Sequence, residues 1–155
     1  LQKLTPGRVY AVLATNGIHR SEDGGQFWDE VTEGLQKYNG GKNIRQAVLL
    51  PGGEQDLLLL ATDYGLIRST DGGLSFEAVE MLTPPNSAAI TSLAVSSRNG
   101  REIYYAAGGV LHRTLDGGHE WTTKPLPTAR AATAMLVDFF NPQILYLGAA
   151  RIDKK

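Results

Sequence analysis

The segment Ser21-Glu22-Asp23-Gly24-Gly25-Gln26-Phe27-Trp28 decides the fold, because two closely similar segments occur further along the chain. We call residues 21–28 box 1, residues 69–76 box 2 and residues 114–121 box 3. The aspartates of the three boxes are 48 and 45 residues apart. Self-similarity at a nearly constant spacing is the sequence signature of a repeat architecture.

Short apolar clusters flank each box and have the length and composition of β-strands. The clusters are rich in β-branched and aromatic residues and are separated by Gly, Asn and Pro, which excludes a helical solenoid. The predicted strands, in the order A to D of one repeat, are residues 44–50, 90–96 and 133–138 for A, 9–14, 57–61, 103–107 and 144–149 for B, 17–20, 65–68 and 110–113 for C, and 28–32 and 76–81 for D.

Four short antiparallel strands in about 45 residues are typical of the blades of a β-propeller, which repeat every ~40–45 residues. We therefore predict an all-β chain of about three and a half blades, with each box closing the hairpin between strands C and D. The predicted boundaries are residues 8–34 for strands B to D of the first blade, 43–82 for the second blade, 88–126 for the third blade and 131–150 for the start of a fourth.

The residue types of the boxes are those that a self-contained tight turn needs. A Gly-Gly pair supplies positive φ values, the Asp accepts backbone N–H groups of its own turn, and the Ser or Thr adds a local hydrogen bond. The aromatic residue that follows can pack over the turn or between blades. The predicted structural residues are Ser21, Asp23, Gly25, Trp28, Ser69, Asp71, Gly73, Phe76, Thr114, Asp116, Gly118 and Trp121.

A catalytic or metal-binding role for the boxes is the competing interpretation, and the pattern disfavours it. Aspartates on three separate blades would point in three directions, and no Lys-Ser/Thr pair follows the glycines as in a phosphate-binding loop. We therefore predict that the boxes are structural, and we predict no catalytic residue, no metal and no cofactor for this chain.

The composition excludes several classes of function. The chain has 15 Lys and Arg against 16 Asp and Glu, with no run of like charge, so nothing in it favours a nucleic-acid partner. No apolar segment is long enough to span a bilayer. The absence of cysteine rules out disulfides, thiolate nucleophiles and cysteine-based zinc sites.

The pattern Ser/Thr-x-Asp-x-Gly-x-x-Trp/Phe resembles the Asp-box, also called the bacterial neuraminidase repeat. Its style, with Arg before the Ser or Thr and Gly-Gly after the Asp, is most similar to photosystem II assembly factors and xyloglucanases. The resemblance implies that the boxes lie on the face away from the ligand site and that the protein is extracytoplasmic: secreted, periplasmic or on the surface. It transfers no activity, and the Arg-Ile-Pro motif of sialidases is absent.

Strand alternation predicts where a ligand could bind. If the boxes lie at one end of the blades, the connections from B to C and from D to A lie at the other end. Polar or aromatic residues that occur in one blade only are the candidates, with ordinary loop variation as the alternative. The candidate ligand-binding residues are Tyr38, Lys42, Asp63, Tyr64 and Arg130.

Two functions remain open from the sequence. The first is a non-catalytic binding or assembly scaffold, whose partner is another protein chain or further blades that complete the ring, with a homodimer or a glycan as alternatives. The second is a fragment of an Asp-box glycoside hydrolase, xyloglucanase-like or sialidase-like, with catalytic carboxylates partly outside this chain. An incomplete set of strands at both ends favours a piece of a larger ring over a self-sufficient dimer.

Overall fold

The computed structural model describes residues 7–13, 17–51 and 56–150 and consists almost entirely of antiparallel β-sheet. The chain divides into two compact units, Leu1–Ala78 and Val79–Lys155. Each unit contains two small sheets. The predicted all-β class, built from short antiparallel strands, is confirmed.

The first unit contains sheets I and II. Sheet I has three strands in chain order, β1 (Val9–Leu13), β2 (Gly17–Ser21) and β3 (Asp29–Glu30). Sheet II has four, β4 (Ile44–Leu50), β5 (Leu57–Thr62), β6 (Leu66–Ser69) and β7 (Glu77–Ala78). A single 3₁₀ turn, Glu33–Leu35, lies in the connection between the two sheets.

The second unit contains sheets III and IV. Sheet III has four strands, β8 (Ile90–Val95), β9 (Ile103–Ala107), β10 (Val110–Thr114) and β11 (Thr122–Pro125). Sheet IV is the hairpin of β12 (Ala131–Val137) and β13 (Leu145–Ala150). In every sheet, strands that are consecutive in the chain pair with each other, as in a meander.

Apolar side chains between the paired sheets of each unit form the cores. In the first unit the buried cluster is Ile18, Leu35, Ile44, Leu58, Leu60, Ile67 and Phe76. In the second unit it is Ala94, Tyr104, Ala106, Leu126, Ala132, Met135 and Val137. All five residues of β9 are buried, whereas β13 alternates between half-buried and exposed residues, as expected for a strand with one covered face.

The pairing between the first and second strands of sheets II, III and IV is interrupted at the same place. The register shifts between Ile44 and Gln46, between Ile90 and Ser92, and between Ala132 and Ala134. Each shift leaves one extra residue on the first strand, and this irregularity is a β-bulge. The side chain of the extra residue does not follow the regular alternation of the strand. The extra residues are Arg45, Thr91 and Thr133.

Candidate functional site

Each box is a turn whose polar groups satisfy one another. In box 3 the Thr114 hydroxyl donates to Asp116 Oδ1 at 2.6 Å and accepts from the N–H of Gly118 at 3.0 Å. Asp116 Oδ1 accepts from the N–H groups of His119 and Glu120 at 2.9 and 3.1 Å. These hydrogen bonds, led by that of Thr114, lower the pKa of Asp116 to about 2. The carboxylate is therefore committed to its own turn.

Boxes 1 and 2 repeat this arrangement. Ser21 Oγ donates to Asp23 Oδ1 at 2.7 Å, and Ser69 Oγ donates to Asp71 Oδ1 at 2.8 Å. The N–H of Gly25 donates to Ser21 Oγ at 2.8 Å. All six box glycines have positive φ, between 72° and 108°, which explains why Gly occupies both positions. In each box the aspartate accepts a hydrogen bond from the Ser or Thr two residues before it and from backbone N–H groups of its own turn.

The second glycine of boxes 2 and 3 also contacts the segment that follows the preceding box. A Cβ at Gly73 would lie 3.1 Å from Val31 Cγ2, and a Cβ at Gly118 would collide with Val79 Cγ1. Val31 and Val79 are 48 residues apart, the same distance as Asp23 and Asp71. The valine is therefore a repeated part of the architecture, and the sequence analysis missed it because Val is common in strands.

Four of the five candidate ligand-binding residues lie in loops at the ends of the strands opposite box 2. Because Ile44 pairs with Thr62, the connection that leads into β4 and the turn after β5 lie at the same end of sheet II. The rings of Tyr38 and Tyr64 are 4.9 Å apart at a tilt of 51°. The N–H of Asp63 donates to Asn43 O at 3.1 Å, which joins the two loops. We call this surface the loop face of sheet II.

Tyr38 connects the loop face of sheet II to the core of the first unit. Both Tyr38 and Tyr64 are half-buried and pack against the core of the first unit. The Tyr38 hydroxyl donates to Phe76 O at 3.2 Å, and Lys37 Nζ lies 5.1 Å from the centre of the Tyr38 ring. The aromatic pair is thus held in place by packing against the core and by the hydrogen bond of Tyr38 to Phe76 O.

A polar network that the sequence analysis did not identify surrounds Asp63. Asn43 Nδ2 donates to Asp63 Oδ2 at 2.9 Å, and Arg45 Nε donates to Asp63 Oδ1 at 2.7 Å. Arg45 is the extra residue of the first bulge, where sheets III and IV carry Thr91 and Thr133. The criterion of a polar residue found in one repeat only would have selected Arg45, had the bulge been recognised in the sequence.

The other two candidates are placed differently. Lys42 is half-buried in the loop face of sheet II, where its carbonyl accepts from the N–H of Ile44 at 3.1 Å. Arg130 belongs to the second unit, where its side chain is exposed and its N–H donates to Thr128 Oγ1 at 3.2 Å. The structure therefore groups Tyr38, Lys42, Asp63 and Tyr64 on one sheet and leaves Arg130 on another.

The arginines that precede the boxes have structural partners. Arg20 donates to Gly72 O in box 2 at 3.0 Å, Arg68 bonds Glu77 at 2.8 Å and Arg113 bonds Glu102 at 2.6 Å. In the first unit Tyr10 joins this arrangement, with its hydroxyl 3.1 Å from Asp56 Oδ2. Burial, followed by the charge of Asp56, raises the pKa of Tyr10 to about 12. A phenol with such a pKa stays protonated and is a poor nucleophile.

The histidines that precede boxes 1 and 3, His19 and His112, have different surroundings. His112 is buried and stacks on Tyr105, with ring centres 4.2 Å apart and planes 6° apart. Burial lowers the pKa of His112. Its equivalent, His19, lies in β2 and is half-buried. The position therefore serves packing in sheet III.

Two further observations concern ligands and membranes. Within the ranges that the structure describes, no group of three or more His, Asp or Glu side chains could hold a metal ion. No helix of this part of the chain is long and apolar enough to cross a membrane.

Neither a family model nor a curated protein matches the chain. Among solved structures, an ancestral GH74 enzyme is 23% identical with a TM-score of 0.68 over 92% of this chain and 20% of that chain. The extracellular domain of BT4673 from B. thetaiotaomicron is 18% identical with a TM-score of 0.64 over 92% of this chain and 18% of that chain. YCF48 bound to D1 peptide is 18% identical with a TM-score of 0.50 over 96% of this chain and 60% of that chain.

The chain therefore spans about one fifth of the length of the first two of these structures. Similarity at such low identity shows the fold and carries no activity with it. The similar structures are β-propeller proteins, and the small antiparallel sheets of consecutive strands described above are consistent with propeller blades. The fold of this chain is that of a β-propeller, represented here by part of a ring.

Proposed function

We propose that this chain is part of a non-catalytic binding or assembly scaffold of the Asp-box type, and that its ligand is a segment of another protein. The ligand face is formed by the loops opposite the boxes. Its contact residues in the first unit are Tyr38, Lys42, Asp63 and Tyr64, and Arg130 is a separate candidate in the second unit. The observation that carries the proposal is the loop face of sheet II, where a fixed aromatic pair lies beside a satisfied polar network. Rigid aromatic surface with polar groups around it is typical of protein-binding sites.

In this proposal the box residues are architecture. Their carboxylates accept hydrogen bonds from their own turns, and their hydroxyls do the same. Sheets I to IV then correspond to the four blades with the boundaries given above, and the boxes lie at the end of each sheet away from the ligand.

The distribution of carboxylates argues against catalysis by this chain. Hydrolysis of a glycosidic bond requires two carboxyl groups facing each other, about 5–9 Å apart. Among the described residues 36–43, 63–65, 81–89, 108–109 and 126–130, Asp63 is the one carboxylate, and Asn43 and Arg45 hold it.

Two of the similar structures support protein binding and an extracytoplasmic location. YCF48 has been solved with a D1 peptide, so a propeller of this fold binds a protein segment. The extracellular domain of BT4673 supports an extracytoplasmic location for this chain as well. We extend both properties to the present chain as part of the proposal.

A glycoside hydrolase is the second candidate, favoured by the similarity to an ancestral GH74 enzyme. This reading requires carboxylates from outside the chain, with Asp63 as the one contributed here. A glycan is then the ligand in place of a peptide.

The experiment is a selection of peptides displayed on phage against the immobilised chain. Peptides that bind the chain should lose at least tenfold in affinity with the Tyr64→Ala variant. Tyr146→Ala is the matched control, since Tyr146 is an exposed tyrosine of sheet IV, remote in sequence from these loops. Circular dichroism establishes that both variants fold.

Two results would contradict the proposed function. Selected peptides whose affinity is unchanged by Tyr64→Ala and by Tyr38→Ala would overturn the assignment of the loop face. Binding of a xyloglucan oligosaccharide by the chain, weakened at least tenfold by Asp63→Asn, with no peptide selected, would overturn the protein-binding scaffold and support the hydrolase.

A further inference from the structure

His112 is a buried titratable side chain whose ring lacks a full set of hydrogen-bond partners. It is 6% exposed, and its Nδ1 has no hydrogen-bond partner among the residues that the structure describes. A neutral imidazole carries one N–H, so its other nitrogen can stay without a partner, whereas the charged ring carries two N–H groups and needs an acceptor for each. The position therefore suits the neutral ring and disfavours the charged one.

The ring of His112 belongs to an aromatic cluster that reaches box 3. Tyr105 of β9 stacks on it with ring centres 4.2 Å apart, and the Tyr105 ring lies 5.0 Å from that of Trp121 at an angle of 75°. Trp121 Nε1 in turn donates to Glu80 O at 2.8 Å. The three rings thus form a chain of contacts from β10 to residues 79–82, which we call the docked segment.

No charged side chain in the described part of the chain bonds to the His112 ring. Tyr105 and Thr123 lie opposite it on the two neighbouring strands. The next residue, Arg113, points to the other face of sheet III, where it bonds Glu102 at 2.6 Å. The other titratable groups of the adjacent elements are exposed or bound within their own turn, and they are Lys124 of β11, Glu80 of the docked segment, and Asp116, His119 and Glu120 of box 3.

We propose that His112 is an acid-sensitive switch whose protonation opens the aromatic cluster and releases the docked segment from box 3. The charged ring needs an acceptor at Nδ1, and water can supply it once the cluster opens. The switch involves sheet III and box 3, so it does not depend on the function proposed above for the loop face of sheet II.

The direction of the pH dependence follows from burial. Burial lowers the pKa of His112 in the closed arrangement, whereas a solvated histidine has a pKa of about 6.5. The open arrangement therefore binds the proton more readily, and acid favours it. The closed arrangement has its full stability above about pH 6.5, and each unit below this value favours opening by up to about tenfold until the lowered pKa is reached.

Sheet I offers a matched control, because the equivalent histidine there has no such cluster. His19 of β2 is half-buried, and the residue opposite it on β1 is Ala11, where β9 has Tyr105. Trp28 Nε1 donates within its own turn, to Gly25 O at 2.9 Å. Protonation of His19 is therefore expected to leave box 1 unchanged.

The first test follows the fluorescence of Trp121. The Trp28→Phe variant keeps Trp121 as the sole tryptophan of the chain. Its emission maximum should move reversibly to longer wavelength between about pH 8 and pH 4.5, while the far-UV circular dichroism stays constant. Adding His112→Phe retains a ring for stacking and removes the titration, so the shift should disappear. Adding His19→Phe should leave the shift as it was.

A second measurement needs no substitution at His112. NMR of the parent chain should show that the His112 ring titrates below about pH 6.5, and that exchange of the Trp121 indole N–H with solvent becomes faster over the same range. Base-catalysed exchange of an N–H slows as the pH falls, so faster exchange reports opening of the cluster. The indole N–H of Trp28 should show the ordinary slowing.

Four results would overturn the proposal. An emission maximum that stays constant over this range would show that the cluster does not open, and a shift that His112→Phe retains would assign the opening to another group. A His112 ring that titrates without any change at the Trp121 indole would show that the ring turns outward alone. Loss of the far-UV signal with the same midpoint would show unfolding of the sheets in place of release of the docked segment.

Discussion

Box 1 and box 3 have the same internal hydrogen bonds and different surroundings. In box 3, Trp121 Nε1 donates to Glu80 O at 2.8 Å and lies 3.2 Å from Gly118 O. In box 1, the described residues offer the Trp28 indole one acceptor, Gly25 O at 2.9 Å, and the side chain is 42% exposed. The box therefore combines two functions, a self-contained turn and a docking surface for the segment that follows the preceding box.

The two second glycines differ in the same way. A Cβ at Gly118 would collide with Val79, whereas the nearest atoms to a Cβ at Gly25 belong to the ring of Trp28, at 3.5 Å. Both glycines have positive φ, 108° and 97°. Backbone strain is thus common to both positions, and of these two glycines only Gly118 has a close contact with a neighbouring segment among the described residues.

The largest expected effect comes from replacing these glycines by alanine. Gly25→Ala should lower the free energy of unfolding by about 1 kcal/mol, because it adds a Cβ at positive φ. Gly118→Ala should lower it by about 3 kcal/mol, since the new methyl group also forces Val79 to move. Urea-induced unfolding followed by circular dichroism measures both values.

A double substitution separates the strain of the backbone from the collision. Adding Val79→Ala to Gly118→Ala should recover about 1 kcal/mol relative to the sum of the two single effects. Equal losses for Gly25→Ala and Gly118→Ala, with additive behaviour of the double variant, would show that the valine contact has no energetic weight.

A smaller effect is expected from the indoles. Trp121→Phe removes the hydrogen bond to Glu80 O and should cost about 1 kcal/mol more than Trp28→Phe, since one hydrogen bond contributes about 1 kcal/mol. Box 2 already carries Phe76 at this position, so the turn itself accepts phenylalanine. Thermal unfolding of the two variants against the parent chain gives the difference. A larger loss for Trp28→Phe would contradict the docking function of box 3.

Local features of the fold could be predicted from sequence, because they depend on neighbours in the chain. The strands 44–50 and 103–107 were predicted at their observed bounds, and the hairpins at the boxes follow from the glycine pairs. The strands after boxes 1 and 2 were predicted too long. They have two residues each, Asp29–Glu30 and Glu77–Ala78, and the chain then leaves the sheet, after box 1 towards a 3₁₀ turn.

The location of the candidate site could be predicted from the alternating direction of consecutive strands. This alternation places the connection before β4 and the turn after β5 at one end, and Tyr38, Asp63 and Tyr64 meet there. Arg45 was missed because the β-bulge that directs it to Asp63 depends on pairing with β5, which no local pattern reveals. The hydrogen bond from Tyr38 to Phe76 O was missed for the same reason, since 38 residues separate the two.

The smallest expected effect is the pH-dependent stabilisation by the box carboxylate, and it should be the same in boxes 1 and 3. The Thr114 hydroxyl and the N–H of Glu120 lower the pKa of Asp116 to about 2, and the N–H of Phe27 and the Ser21 hydroxyl lower the pKa of Asp23. An unfolded chain has an Asp pKa of about 3.9. Each carboxylate therefore stabilises the fold above about pH 4, and this contribution is lost as the pH falls towards 2.

Asp116→Asn and Asp23→Asn should each remove this pH dependence, so that the unfolding curves of parent and variant approach each other between pH 4 and 2. Denaturation in urea at half-unit steps of pH gives the curves. Because the carboxylate bonds lie inside each turn, the two variants should behave alike, even though Gly118→Ala and Gly25→Ala differ. The free energy of unfolding of Asp116→Asn could instead stay below that of the parent by a constant amount down to pH 2. The loss would then come from poorer packing or geometry of the Asn side chain, and the charge of Asp116 would not stabilise the turn. A pH dependence found in box 3 alone would mean that the segment at Val79 and Glu80 contributes to the turn, which would merge the two functions that the comparison separates.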